Sequence, residues 1–198
     1  MNLWKRSVLG ASFLLLLPLA LSAQDIPKAE LYTGYSLLRF STERTTTHGW
    51  DVQIAPNINK NLAIVFDFAG HYGNFDESFG SVVRERVDLR SHSIMMGPRV
   101  SQVVAERWKP FAQFLVGYHR TKLDFDVTFL GSPIIDVDTQ SGVTATAGGG
   151  LDLIVSDHVA VRLFQAEYAV HRFQDVNFKG EGARIGAGIV FRLGRKTQ

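Results

Sequence analysis

The chain has 198 residues, a formal net charge of +2 and no cysteine. Its length fits a single domain, and the lack of cysteine excludes disulfide scaffolds and cysteine-based metal or redox sites. The positive charge resides in the N-terminal segment, because without Lys5 and Arg6 the chain carries 19 basic and 19 acidic side chains. Net charge therefore gives no support for nucleic-acid binding.

The N-terminus has the features of a secretory signal peptide. Lys5 and Arg6 precede an uncharged, mostly apolar run that ends in small residues just before Gln24. The run is short for a transmembrane anchor and leads directly into a cleavage pattern. The sequence predicts a signal peptide over residues 1–23 and a single mature domain over residues 24–198.

Eight later segments alternate between apolar residues and polar or small ones, which is typical of strands with one apolar face and one polar face. The predicted strands cover about residues 30–40, 47–55, 62–72, 87–100, 109–122, 142–155, 158–172 and 184–193. Most are longer than the roughly 5–6 residues of an average soluble strand. They match the roughly 9–11 residues of a tilted membrane strand.

The predicted connections alternate in length. The sixth and seventh strands are joined by little more than Ser156 and Asp157. The connections that follow the first, third, fifth and seventh strands are polar and mostly longer. These predicted loops are residues 41–46, 73–86, 123–141 and 173–181. Short turns at one rim and longer loops at the other are typical of outer-membrane barrels. An even number of strands places both termini at the short-turn rim.

Aromatic residues collect near the predicted strand ends, where aromatic girdles at two membrane interfaces would place them. The alternative is that they fill the core of a soluble barrel. The predicted girdle residues are Tyr32, Phe40, Trp50, Tyr72, Trp108, Phe111, Tyr118, Phe173 and Phe191.

Five short segments together carry a family resemblance. They are Gly34-Tyr35-Ser36, Met96-Gly97-Pro98-Arg99, Pro110-Phe111-Ala112, Gly148-Gly149-Gly150-Leu151-Asp152 and Gly188-Ile189-Val190-Phe191-Arg192-Leu193-Gly194. In order and spacing, the chain resembles the small eight-stranded outer-membrane β-barrel proteins of the OmpA-like transmembrane-domain type. The resemblance covers essentially all of the mature chain and implies an all-β, eight-stranded antiparallel up-and-down transmembrane β-barrel.

Two departures from that family limit what the resemblance implies. Full-length OmpA-like proteins often add a domain that holds peptidoglycan, and only residues 195–198 follow the last predicted strand, so the tethering role is not carried over. Barrel-assembly signals usually end on a terminal aromatic residue, whereas seven residues follow Phe191.

Charged residues on the predicted lumen faces are the main site candidates. An eight-stranded barrel has an interior about filled by side chains, and charges buried there must be paired. We therefore predict a lumen charge network that plugs the barrel, with a narrow ion path and a catalytic acid/base pair as alternatives. The candidate residues are Asp51, Asp67, Arg99, Asp152, Glu167, Arg184 and Arg192.

Other residues give weak indications of chemistry. A serine nucleophile needs a base within hydrogen-bond reach, but His92 and its neighbours Ser91 and Ser93 fall on opposite strand faces. The glycines lack the strand-to-helix context of a phosphate loop. The remaining histidines are too dispersed for a predicted metal site, and the aspartates between residues 124 and 138 suit a solvated acidic loop. We predict no catalytic residue, no cofactor and no metal.

The sequence as a whole predicts an outer-membrane protein with a structural or surface-interaction role and at most small pore activity. The expected partners are outer-membrane lipids, the barrel-insertion machinery and an extracellular ligand bound through the long loops, with no nucleic acid. Two alternatives stay open: a lipid-modifying outer-membrane enzyme, and a soluble secreted barrel that binds an apolar ligand. The second requires the apolar stripes to point inward.

Overall fold

The computed structural model describes residues 26–40, 46–79, 83–129, 132–173 and 179–194. The predicted signal peptide lies outside these residues. The fold is a closed barrel of eight antiparallel strands in chain order, and β1 closes the ring by pairing with β8. The strands are β1 (Ala29–Phe40), β2 (Thr46–Pro56), β3 (Leu62–Phe79), β4 (Val83–Ser101), β5 (Trp108–Phe129), β6 (Ser132–Ile154), β7 (Val159–Phe173) and β8 (Lys179–Leu193).

The predicted fold class and the eight predicted strands are confirmed. Ring closure gives every strand two neighbours, so the sheet has no open edge where the barrel crosses an apolar medium. Among the described residues, none forms a helix long and apolar enough to cross a membrane.

Two of the predicted long loops are wrong. Residues 73–86 and 123–141 are largely strand, since β3 and β4 stay paired up to Phe79 and Val83, and β5 and β6 stay paired up to Phe129 and Ser132. Apolar and polar residues continue to alternate there, as in Leu123 to Phe129. The polar composition of these stretches had favoured a loop, but the alternation prevails.

The three described turns between β2 and β3, β4 and β5, and β6 and β7 lie at one rim. In the first, the Asn59 Oδ1 accepts hydrogen bonds of 2.9 Å from the backbone N–H of Leu62 and of Asn61. In the last, the Ser156 Oγ accepts one of 3.1 Å from the Val159 N–H. The described chain also begins and ends at this rim, where the Lys28 N–H donates to the Leu193 carbonyl at 2.9 Å.

The barrel has an apolar outside and a polar inside. Ile94, Met96 and Val116 are 62%, 50% and 43% exposed on the outer surface, whereas Asp67 and Arg162 are fully buried in the interior. A membrane barrel needs this distribution, and a soluble barrel built around an apolar ligand needs the reverse. The structure therefore contradicts the soluble ligand-binding alternative.

The predicted aromatic girdle is partly wrong. Trp50, Tyr72 and Tyr118 face outward toward one interface, and Trp108 and Phe191 face outward near the short-turn rim. The predicted girdle residues Tyr32 and Phe111 instead point into the lumen, where they are 1% and 6% exposed. Side chains of Phe40 and Phe173 lie outside the described part of the structure.

Candidate functional site

The centre of the lumen is built around Arg184 of β8. Its guanidinium forms a two-pronged pair with Asp67 of β3, from Nη1 to Oδ1 at 3.0 Å and from Nη2 to Oδ2 at 2.7 Å. Its Nε donates to the Glu167 Oε2 at 2.6 Å, and Asp51 lies 4.0 Å from Nη1. One cation thus holds three carboxylates from three other strands, and the barrel wall is tied across its interior.

Arg162 of β7 makes the second two-pronged pair. Its Nε and Nη2 donate to the two carboxylate oxygens of Asp152 at 2.8 and 3.2 Å, and its Nη1 donates to Gln165 and Gln53 at 2.6 and 2.8 Å. The guanidinium carbon lies 4.2 Å from the ring centroids of both Tyr32 and Phe111. Strand alternation places both rings in the lumen, since Tyr32 is in phase with Ser36 and Phe111 with Gln113, and there the rings stack on the guanidinium.

A β-bulge places Arg162 inside the barrel. The register of β7 shifts between Arg162 and Gln165, so Leu163 and Phe164 both face outward while the residues on either side face inward. Strict alternation counted back from Gln165 would have placed Arg162 on the lipid side. Bulges that redirect a side chain in this way are common where a strand must bend.

Arg99 of β4 completes the basic part of the network. Its Nε and Nη2 donate to the Gln113 Oε1 at 2.8 and 2.6 Å, and Nη2 also donates to Gln53. The Gln113 Nε2 donates to the Glu167 Oε1 at 2.5 Å, and the Gln53 Nε2 donates to the Asp67 Oδ2 at 2.9 Å. The two glutamines thus connect all three arginines and the carboxylates into one continuous network.

A separate ion pair lies closer to the short-turn rim. The Lys109 Nζ of β5 donates to the Glu30 Oε1 of β1, across the barrel from strand to strand. Apart from histidine, the buried charged side chains of the described residues are five carboxylates and four basic groups. Because positive and negative groups are present in nearly equal number, the buried charges can be paired with one another.

The structure brings six of the seven predicted lumen charges into this network. They are Asp51, Asp67, Arg99, Asp152, Glu167 and Arg184. Arg192 lies apart, because its Nη1 donates at 3.4 Å to the carbonyl of Ser156 in the short turn between β6 and β7. The Arg192 side chain points inward, as the alternation predicts. Because Arg192 is one residue from the end of β8, it lies at the short-turn rim and not at the centre of the lumen.

Sequence reasoning missed four residues of the network and both residues of the separate Lys109–Glu30 pair. Three of them are uncharged glutamines on polar strand faces: Gln53, Gln113 and Gln165. Arg162 is displaced by the bulge. Glu30 and Lys109 lie at strand ends, where the alternation is hard to assign. Reading every polar residue on the inward face, charged or not, would have found the glutamines.

Above the network, toward the rim opposite the short turns, the lumen is lined by histidine, serine and threonine. The Ser36 Oγ lies 3.0 Å from the His71 Nε2. The rings of His119 and His171 meet edge to face with centroids 4.9 Å apart. In the part of the chain that the structure describes, no group of three or more histidines and acidic residues could hold a metal ion.

The structure places His92 and its serine neighbours on opposite faces of β4, as the sequence predicts. Ser91 points into the lumen, where its Oγ accepts a 3.0 Å hydrogen bond from Thr121. His92 points outward, with its Nε2 3.2 Å from the Tyr72 hydroxyl. A serine and its base must be in hydrogen-bond reach on one face, so this motif offers no nucleophile–base pair.

Beyond the plugged lumen, the barrel wall continues on one side only. β3, β4, β5 and β6 have 18, 19, 22 and 23 residues, against 11 to 15 in the other four strands. Because the backbone pairs of β3 with β4, β4 with β5 and β5 with β6 continue to the strand ends, these four strands form a projecting sheet. About 9–11 residues suffice to cross a membrane, so about 12 residues of β5 and of β6, roughly 40 Å measured along each strand, extend beyond it.

A closed barrel with an apolar outer surface, a plugged polar interior and short turns at one rim is an outer-membrane β-barrel. The protein is therefore a member of this structural class, located in the outer membrane.

The comparisons with known proteins agree with this class. No family model and no curated protein matches the sequence. The structure is similar to that of Ail, the attachment invasion locus protein of Yersinia pestis, solved in complex with the heparin analogue sucrose octasulfate. The identity is 18% and the TM-score 0.57, over 84% of this chain and 99% of Ail.

Two further solved structures show the same fold. Neisserial surface protein A (NspA) is 16% identical with a TM-score of 0.53, over 84% of this chain and 97% of NspA. OprG of Pseudomonas aeruginosa is 9% identical with a TM-score of 0.52, over 85% of this chain and 96% of OprG. At such identities the similarity shows the fold.

Proposed function

We propose that this protein is a non-enzymatic surface-interaction protein, in which the barrel serves as the membrane anchor and the projecting sheet contacts an extracellular ligand. A single observation carries the proposal: the lumen is closed by paired charges while four strands continue far beyond the length that a membrane requires. A transport channel would need the reverse, an open lumen.

The remaining parts of the proposal follow from this topology. The predicted signal peptide of residues 1–23 delivers the chain for export, the insertion machinery closes the barrel, and outer-membrane lipids surround its apolar surface. The similar protein Ail was solved with a heparin analogue and is named for attachment. A sulfated saccharide is therefore the first probe for an extracellular ligand.

The orientation of the barrel can be tested with single cysteines, because the chain has none of its own. With Ser132→Cys at the tip of the projecting sheet, intact cells should be labelled by a membrane-impermeant maleimide. With Ser156→Cys in the short turn, labelling should require cell lysis. Labelling of the second variant alone on intact cells would reverse the topology and remove the projecting sheet from the cell surface.

The ligand-binding role can be tested by shortening the projecting hairpins. Replacing residues 76–86 and 127–134 with tight two-residue turns keeps the register pairs Phe75–Val87 and Asp126–Ile135, and so leaves the membrane-crossing pairs intact. Cells displaying equal amounts of heat-modifiable barrel should lose adherence to a surface coated with a sulfated saccharide. The same variant should retain the unboiled gel shift of a folded barrel. Undiminished adherence would contradict the proposed role of the sheet.

The plugged lumen predicts electrical behaviour. In planar bilayers, the folded protein should give no steady conductance at moderate voltage, because Arg99, Arg162 and their partners occupy the cross-section. Phe111→Ala, which removes the ring packed against both guanidinium groups, should increase the frequency of brief openings. Phe114→Ala, on the outward face of the same strand and 50% exposed, is the matched control and should behave as the wild type.

A further inference from the structure

A group of basic side chains lies on the outer face of the barrel. Arg90 and His92 of β4 lie directly opposite Lys122 and Arg120 of β5, in register pairs Arg90–Lys122 and His92–Arg120. All four side chains are exposed. We call these four residues the upper basic cluster.

The upper basic cluster faces the membrane and not the lumen. The residues between its members, Ser91 and Thr121, are buried and hydrogen-bonded to each other inside the barrel. Because successive side chains of a strand point to opposite faces, the cluster projects from the outer wall.

The charges of the cluster are only partly compensated by the protein, because the next outward pair above it, Asp88 opposite Asp124, sets two carboxylates against three arginine and lysine side chains. Arg90 and Lys122 are like charges directly opposite each other, an arrangement that destabilises a sheet. An ion pair in the described part of the chain joins the Arg90 Nη2 to the Asp124 Oδ2 at 4.0 Å, with side chains 58% and 35% exposed. Such a pair contributes little, so an external anion would relieve the repulsion.

The position of the cluster identifies the source of that anion. His92 is nine residues from Ser101, the short-turn end of β4, and a tilted strand of that length rises about 23 Å. The apolar band of such barrels is about 25 Å tall. Ile94 and Tyr118 form the next outward pair below the cluster, and the Tyr72 hydroxyl lies 3.2 Å from the His92 Nε2. The cluster is therefore level with the lipid headgroups.

We propose that the upper basic cluster binds the phosphate group of an outer-leaflet lipid headgroup. The guanidinium groups of Arg90 and Arg120 supply planar pairs of N–H donors that match phosphate oxygens, and Lys122 adds a compact positive charge. The acyl chains of the same lipid lie along the apolar pair Ile94 and Tyr118 below. This assignment rests on the proposed orientation, with the projecting sheet outside.

The test measures lipid binding by the purified full-length barrel in maltoside micelles, which contain no phosphate. The probe is dansyl-labelled lipid A carrying two phosphates, followed by energy transfer from the barrel tryptophans. The variant Arg90→Gln/Arg120→Gln/Lys122→Gln should bind about a hundredfold more weakly, since each basic group at an anionic surface contributes roughly fivefold. Dephosphorylated lipid A should bind the wild type as weakly as the phosphorylated form binds this variant.

The matched control carries the same charge change at the other rim. Lys28→Gln/Lys60→Gln/Arg107→Gln replaces three exposed basic residues near the short turns and should bind as the wild type does. Equal loss in both triple variants, or full binding by the first, overturns the assignment. Displacement of the probe by millimolar inorganic phosphate alone would show a site for a free anion and overturn the lipid source. Because the assay uses purified protein, its outcome is separate from that of surface labelling and adherence.

Discussion

Arg184→Met is expected to lower the free energy of unfolding by about 3–5 kcal/mol, the usual effect of removing one partner from a buried charged group. The guanidinium holds Asp67 and Glu167 at hydrogen-bond distance and has Asp51 at 4.0 Å. Methionine fills similar volume but leaves these carboxylates close together with no cation beside them. Urea unfolding of the barrel in phospholipid vesicles, followed by tryptophan fluorescence, measures the change.

Arg192→Met is the matched control, on the same strand and with the same chemistry of substitution. Toward the described residues, the Arg192 side chain makes one long hydrogen bond, to the Ser156 carbonyl, so the expected loss is below about 1 kcal/mol. A third variant, Arg184→Met/Asp67→Asn/Glu167→Gln, removes the unpaired charges and should recover much of the lost stability. Equal effects of the Arg184 and Arg192 substitutions would show that the lumen charges are not a coupled network.

The period-two pattern was sufficient to predict the barrel. It assigned eight strands and the inward direction of Asp51, Asp67 and Glu167. When one face of a strand contacts lipid and the other a polar lumen, the apolar residues must face the lipid and the polar residues the lumen. The strand ends near the projecting sheet were harder to predict. There the two faces meet the same solvent, so burial no longer marks where a strand stops.

The network itself was only partly visible in the sequence. A charged residue on an inward face reveals that a partner must exist, but not which one, because partners such as Asp67 and Arg184 come from strands far apart in the chain. The inward direction of Arg162 could not be predicted, because it depends on a one-residue bulge that the amino-acid composition of β7 does not indicate. Tyr32 and Phe111 point inward by the alternation of their own strands, which the sequence does show, and their stacking on Arg162 fills the lumen around its guanidinium.

The closed lumen and the projecting sheet are structurally related, because the lumen contacts stabilise the barrel from which the sheet extends. Arg184 and Arg162 tie β8 and β7 to residues of β2, β3 and β6 inside the barrel. A wall braced from within can carry four long strands beyond the membrane without relying on the lipid to hold its shape. The rigid part of the molecule thus lies where the membrane is, and contact with the surroundings falls to the part outside it.

Met96→Arg is expected to lower the free energy of unfolding by about 2–4 kcal/mol in phospholipid bilayers, the range for arginine at the midplane of a membrane barrel. Met96 is 50% exposed on the outer surface, beside Phe66 of β3 and Val116 of β5. It is five residues from the short-turn end of β4, which places it near half the height of the apolar band. A charge there has no water and no partner within the sheet.

Val104→Arg provides the matched control, because Val104 is also exposed, at 43%, but lies in the turn between β4 and β5. Arginine at the membrane rim reaches headgroups and water, so the expected change is between zero and about 1 kcal/mol. Equilibrium unfolding in vesicles distinguishes the two positions. If Met96→Arg were as harmless as Val104→Arg, the outer surface at Met96 would be facing water, and the apolar band would not be the part of the barrel that contacts lipid.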